Sequence, residues 1–276
     1  MPQPRATKTL TLLAGLALPA ALLTLPDRSP AQEAAAKPDA TPAPDEGKAK
    51  SPRIIKEWGD VTDPAGDCTF EADQGKLVIT VPAECPKAHN LCAELSNMDA
   101  PRVLQTLDGD FDLQVKVDGT FEPGKEHGTG SRVPYQGAGL VVIADAANYI
   151  RMERATMLFG ELRNYINFEI RVDGELQRFG SNEKFPLDPA KPVWLRLERR
   201  GETMRGGMSH DGREWSWGEA KELTSKSWAK ESLQAGVHAV SSSSGKFAPV
   251  FAEFLCGAPG EAEKREAEAP AKETQP

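Results

Sequence analysis

The chain has 276 residues, with 33 Lys and Arg against 41 Asp and Glu, a net charge of −8 at neutral pH. A surface that acidic repels phosphate backbones and anionic lipid, which argues against nucleic acid or the membrane surface as a partner.

The N-terminus reads as an export signal. Arg5 and Lys8 form a short positive region, Thr9 to Leu25 is an uncharged Leu/Ala stretch containing Pro19, and Ser29-Pro30-Ala31 places small residues where signal peptidase needs them. Residues 1–31 are therefore expected to be a signal peptide, which implies a secreted or periplasmic protein. The stretch is shorter than the roughly 20 residues a spanning helix requires, and it contains a proline. No cysteine follows that could carry a lipid anchor. Cleavage after Ala31 removes three basic residues and one acidic one. It leaves 30 Lys and Arg against 40 Asp and Glu, a net charge near −10.

Residues 32–52 are Ala, Pro and charge and are expected to be a disordered linker; 258–276 have the same composition and are expected to be a disordered acidic tail. Neither could bury enough apolar surface to offset its ordering entropy. Residues 53–257 remain as one folded domain.

Within that domain, period-2 alternation dominates. Leu77 to Val81 is a strand between Gly75 and Pro82, and Phe111, Leu113, Val115 and Val117 alternate with Asp112, Gln114 and Lys116. Gly139 to Ala144 is apolar throughout, as in a strand buried on both faces. A turn at Asp145 to Asn148 leads into Tyr149 to Arg154. There Ile150 and Met152 oppose Tyr149, Arg151 and Glu153. Ile166, Phe168, Ile170 and Val172 line one side of the next strand, and Asp173-Gly174 closes a hairpin onto Glu175 to Phe179. Val193, Leu195 and Leu197 alternate with Trp194, Arg196 and Glu198. Further strands are expected at Met204 to Ser209, Glu214 to Trp217, Ala235 to Val240 and Val250 to Cys256. Lys221 to Glu231 has helical composition but no apolar stripe. The pattern predicts an all-β, two-sheet antiparallel jelly-roll sandwich.

Several phrases also resemble a known family in order and wording: Trp58-Gly59-Asp60-Val61, Asn97 to Leu104, Gly109-Asp110-Phe111, Gly137 to Val142, Tyr149 to Arg154 and Ser209 to Trp215. They resemble the bacterial domain of unknown function of the "regulation of enolase 1"-like group, in the concanavalin A-like lectin and glucanase superfamily. The resemblance spans Glu57 to Cys256 and implies a jelly roll with one concave sheet. It implies no agreed activity, and calcium enters as a possible cofactor by fold analogy alone. No other cofactor is expected.

An even cysteine count in an oxidising compartment favours disulfides, and the expected pairing is Cys68–Cys256 with Cys85–Cys92. A zinc site using His89 between Cys85 and Cys92 is the rival use of those residues, although it lacks the tight C-x2-C spacing.

Catalytic signatures are missing from the sequence. Retaining glucanases of this fold carry Glu-x-Asp-x-(x)-Glu on one strand, whereas Glu161, Glu169 and Glu175 are too far apart and Glu214 to Glu219 lacks the central Asp. There is no G-x-S-x-G. His238 reads as a strand-face histidine, and Ser209-x-Asp211-Gly212-x-x-Trp215 as a hairpin turn in which each residue has a turn role.

What remains is a polar and aromatic face. Tyr149, Arg151, Glu153, Arg163, Tyr165, Asn167, Trp194 and Arg196 point away from the apolar sides of their strands, together with Glu169 and Glu198; Tyr135 and Asn148 lie at the rim. Aromatic rings against sugar C–H surfaces, with Arg, Asn and Glu against hydroxyls, are what glycan recognition uses. The expected function is an exported, non-catalytic, lectin-like module with a carbohydrate ligand. Its rivals are a glycan hydrolase using Glu153 with Glu169 or Glu198, and an envelope protein-interaction domain.

Overall fold

The computed structural model describes residues 53–83, 88–128, 133–178, 184–230 and 232–268. The signal peptide and linker expected over residues 1–52 lie wholly outside them. In chain order the strands are β1 (Ile54–Ile55), β2 (Gly59–Thr62), β3 (Thr69–Asp73), β4 (Lys76–Thr80), β5 (Arg102–Asp108) and β6 (Phe111–Asp118). The long central strands follow: β7 (Tyr135–Asp145), β8 (Asn148–Phe159), β9 (Glu161–Val172), then the short β10 (Glu175–Arg178). The rest are β11 (Val193–Arg200), β12 (Thr203–Ser209), β13 (Ser216–Trp217), β14 (Lys221–Glu222), β15 (Ser232–Ser241) and β16 (Val250–Gly257). One helix, α1 (Glu261–Glu268), comes last.

The strands form two sheets with antiparallel pairing throughout. The first runs β1-β2-β5-β15-β7-β8-β9-β10; the second runs β13-β12-β11-β6-β16-β4-β3, with β14 also paired to β12. This is the expected jelly-roll sandwich. The core lies between the sheets and follows the sequence alternation. Ile150, Met152, Ile166 and Phe168 from the first sheet, and Leu113, Val115, Leu195 and Leu197 from the second, are all fully buried. The β9–β10 hairpin turns at Asp173 and Gly174, whose φ angles of 50° and 84° are the pair of positive values that a tight hairpin of the right twist requires. Of the stretch Lys221 to Glu231, helical by composition, the described part to Lys230 supplies only the two residues of β14 and otherwise runs through turns and bends.

Two additions cover the outer faces. Segment 88–100 crosses the outside of the first sheet, where its Leu91 and Ala100 pack with Leu104, Val141, Tyr149 and Val240 in a second, smaller apolar cluster. At the other face the tail begins with α1 in place of the disorder expected from residue 258. The sheet supplies the partners that the helix's polar sequence lacks. Asp112 Oδ2 accepts the Gly260 N–H at 2.7 Å, Glu263 Oε1 lies 3.3 Å from Arg196 Nη1, and Ala262 is buried.

The expected Cys68–Cys256 disulfide is absent, and both residues are free thiols. The strand register explains why. Thr69 pairs with Thr80, and the adjacent Val81 bridges Phe247, so Cys68 lies level with Phe247, nine residues before Cys256. At about 3.3 Å per residue that separation is far beyond the roughly 7 Å that a disulfide tolerates between Cα atoms. Cys92 is also a free thiol, and its expected partner Cys85 lies outside the described residues.

Candidate functional site

The residues expected to form one platform are divided between the two sheets. β8 and β9 are neighbours, so Tyr149, Arg151, Glu153, Arg163, Tyr165, Asn167 and Glu169 share the outer face of the first sheet. Trp194, Arg196 and Glu198 are on β11, in the second sheet. Alternation told which residues of β11 turn away from the core. It carried no information about which sheet the strand joins. A hydrolase pair of Glu153 with Glu198 is therefore impossible, because the core separates them.

On the second sheet Trp194 and Arg196 are buried in contacts of their own. Trp194 Nε1 donates to Glu253 Oε2 at 2.9 Å, and Lys116 Nζ sits 4.4 Å above the indole. Glu253 reaches it from a bulge in β16, where the register with β6 shifts between Ala252 and Leu255. Arg196 donates to Gln114 Oε1 and stacks on Trp215 at 4.2 Å. The nearby Ser209–Trp215 turn is held by its own hydrogen bonds. Ser209 Oγ accepts the Gly212 N–H at 2.9 Å, and Asp211 Oδ1 accepts those of Arg213 and Glu214 at 2.7 and 2.9 Å.

On the first sheet the outer face is part sealed and part open. Segment 88–100 seals Tyr149, whose hydroxyl donates to the Leu91 carbonyl and accepts from Arg171 Nε at 2.7 Å. Asn148 is occupied by two neighbouring loops: its Oδ1 accepts the N–H of Asp173, in the β9–β10 turn, and the hydroxyl of Ser225, after β14, both at 2.9 Å. Beside the sealed part lies a pocket of about 470 Å³. Arg151, Asn167 and Glu169 form its floor, and Tyr135, Met157, Phe159 and Tyr165 form one flank. Asn90, Cys92 and Glu94 of the covering segment form the opposite rim, with Val133 and Ser242. Arg163 lies farther along β9, outside the pocket lining, with its side chain half exposed.

The floor is a connected charge network. Glu153 is fully buried, and its Oε1 accepts the Tyr135 hydroxyl at 2.6 Å and Asn167 Nδ2 at 2.8 Å. His238 Nε2 donates to its Oε2 at 2.9 Å. Burial by itself raises a carboxyl pKa. Here the Arg151 charge, the His238 hydrogen bond and charge, and the Tyr135 hydroxyl outweigh it and bring Glu153 from 4.5 down to about 2. Arg151 donates through Nε to Glu169 Oε1 at 2.5 Å, and its guanidinium is held charged against burial by Glu153 and Glu169. Burial, reinforced by Glu153, pushes the Tyr135 hydroxyl well above its ordinary pKa, so it stays a neutral donor.

A general acid needs a raised pKa and a proton to give, and Glu153 has the opposite environment. The network can hold the floor rigid and present donors and acceptors of fixed direction. Arg151 Nη1 has no hydrogen-bond partner among the described residues, lies 3.5 Å from Glu153 Oε1, and belongs to a side chain lining the pocket. Sequence reasoning placed Tyr135 at the rim and set His238 aside; the strand pairing joins both to Glu153. It missed Asn90, Glu94, Met157 and Phe159. Of these only the exposed Phe159, next to the β8–β9 turn, carried a signal in the sequence, an apolar residue where a turn residue is usual.

Among the described residues, one group of three side chains has the composition of a metal site: Asp67, Cys68 and His89. His89 thus meets Asp67 and Cys68, while Cys85 of the expected zinc set lies outside the described residues. A sulfur and an imidazole donor do not fit calcium, which takes six to eight oxygen ligands. Among the described residues no helix is long and apolar enough to cross a membrane.

No protein-family model and no curated protein sequence matches the chain, so the family resemblance read from the sequence gains no support there. Solved structures do share the fold. A functionally unknown protein from Saccharomyces cerevisiae is 16% identical with a TM-score of 0.52, covering 72% of this chain and 99% of that one. A xylan beta-1,4-xylosidase from Bacillus halodurans is 18% identical with a TM-score of 0.52, covering 80% of this chain. A GH43 protein from Bacillus licheniformis is 14% identical with a TM-score of 0.50 over 71% of the chain. The chain spans 41% of the xylosidase and 35% of the GH43 protein, so it corresponds to a part of each.

Proposed function

We propose that the protein is a non-catalytic carbohydrate-binding module that takes a short glycan segment in the pocket beside segment 88–100. One observation carries the reading: a charged floor of Arg151, Asn167 and Glu169 held in fixed geometry faces a flank that includes Tyr165 and Phe159. A pyranose presents an apolar C–H face and an equatorial belt of hydroxyls. The ring residues suit the first, and Arg151, Asn167 and Glu169 suit the second. The floor's polar atoms are positioned by Glu153 and His238 beforehand, so binding does not have to order them.

A xylan-type oligosaccharide is the first ligand to try, because one protein of the same fold is a xylan xylosidase. Binding is measured by calorimetry and on a glycan array, using the protein beside Tyr165→Ala and Phe159→Ala variants. The expected result is saturable binding that weakens at least tenfold in either variant at unchanged melting temperature. Absence of saturable binding to any glycan by folded protein overturns the reading.

A second reading rests on Phe159 and Leu162, which are 58% and 50% exposed on either side of the β8–β9 turn. Two large apolar side chains at a hairpin tip suit a protein partner in the cell envelope. Under that reading Phe159→Ala and Leu162→Ala abolish partner binding, while glycans have no effect on the protein.

A further inference from the structure

We propose that Asp67, Cys68 and His89 bind a zinc-class divalent ion that fastens the loop Asp63–Cys68 to the rim of the pocket. Asp67 Oδ1 lies 2.8 Å from His89 Nε2 and 3.4 Å from Cys68 Sγ, and the three ligand atoms are all within 4.8 Å of one another. Tetrahedral zinc, with bonds of about 2.0–2.3 Å to nitrogen, oxygen and sulfur, needs ligand atoms about 3.3–3.7 Å apart. The triangle already present reaches that geometry by side-chain movements of an ångström or so.

The donors come from two separately fixed pieces of chain. His89 exchanges backbone hydrogen bonds with Ser241 at 2.8 and 3.0 Å, and its side chain is 3% exposed. The loop holding Asp67 and Cys68 is closed by Asp63, whose Oδ1 and Oδ2 accept the Gly66 and Cys68 N–H groups, each at 3.1 Å. A thiolate, an imidazole and a carboxylate together select a borderline ion such as zinc over calcium or magnesium. Asp67 is 40% exposed in its side chain, so the fourth position faces solvent and takes a water. On binding, the Cys68 thiol gives its proton to solvent and the sulfur bonds to the ion as thiolate.

The location gives the ion a role. His89 precedes Asn90 and its bridge partner Ser241 precedes Ser242, and both Asn90 and Ser242 line the pocket. An ion here ties the rim to a loop that otherwise reaches it through the Asp67 carboxylate. The inference does not depend on what the pocket binds.

Protein stripped with a chelator is titrated with Zn²⁺, with Co²⁺ as a spectroscopic reporter and Ca²⁺ as a control. The expected result is one ion per chain, a thiolate-to-cobalt charge-transfer band, and a melting temperature that rises with zinc. Cys68→Ser removes the band and weakens zinc at least tenfold, while Cys92→Ser and Cys256→Ser keep both. Asp67→Asn, at an exposed position, weakens zinc at least tenfold and serves as the test where Cys68→Ser is misfolded by circular dichroism. No charge-transfer band in the wild type, a band that survives Cys68→Ser, or calcium bound as tightly as zinc overturns the assignment.

Discussion

Replacing Glu153 with Gln removes one negative charge from a site where no water can compensate. Its pKa gives the size of the effect. A carboxyl at about 2 when folded and 4.5 when unfolded contributes about 3 kcal/mol to stability once both states are ionised. A second route agrees, since deleting one member of a buried ion pair costs about 3–5 kcal/mol. The folded value is depressed, so this stability is fully present above pH 4.5 and is lost as the pH falls toward 2. Urea unfolding of wild type and Glu153→Gln at intervals from pH 7 to pH 3 measures it. The expected gap is about 3 kcal/mol at pH 7, or about 6–12 °C in melting temperature for a domain of this size. It should narrow steadily below pH 4.5. A gap under 1 kcal/mol at pH 7, or one that does not change with pH, would show that Glu153 is not held as an anion by Arg151, His238 and Tyr135.

Two further predictions test the packing and the thiols. Gly139→Ala places a Cβ 2.1 Å from the Met152 carbonyl oxygen and 2.6 Å from the Glu153 Cα, both backbone atoms of β8, and is expected to cost about 3 kcal/mol in thermal or urea unfolding; a loss below 1 kcal/mol contradicts the β7–β8 register. Cys68 and Cys256 are expected to titrate as free thiols in denatured, unreduced protein. Both should react slowly when folded, since burial raises each pKa, that of Cys256 to about 12; a melting temperature that drops on reduction refutes this.

The sequence was most informative where a residue's role depends on near neighbours. Period-2 alternation located β6, β8, β9 and β11 and named their buried sides, and Asp173-Gly174 fixed one hairpin. It was least informative where a role depends on a distant segment. Arg151, Glu153 and Tyr149 alternate with apolar residues as a solvated face would, yet segment 88–100 and the His238 strand bury them. Segment 88–100 itself has no periodicity, because it packs as an irregular cover. The cysteines failed for a related reason. Lying near the two ends of the fold says nothing about height along a sheet, and Cys68 and Cys256 differ by most of a strand. The helix α1 was hidden because its partners, Asp112 and Arg196, belong to the sheet it covers.

The order of strands also settles how each sheet ends. The outermost members are β1 and β10 on one sheet, and β3 and the two-residue β13 and β14 on the other. β10 reads Glu-Leu-Gln-Arg, and β3 exposes Glu71 and Asp73. The borders are short, and the charges on β10 and β3 are hydrated groups that a stray strand would have to displace. The long strands β7, β8 and β15 lie inside the first sheet with a partner on each side, so their backbone groups are not open to a stray strand in the folded protein.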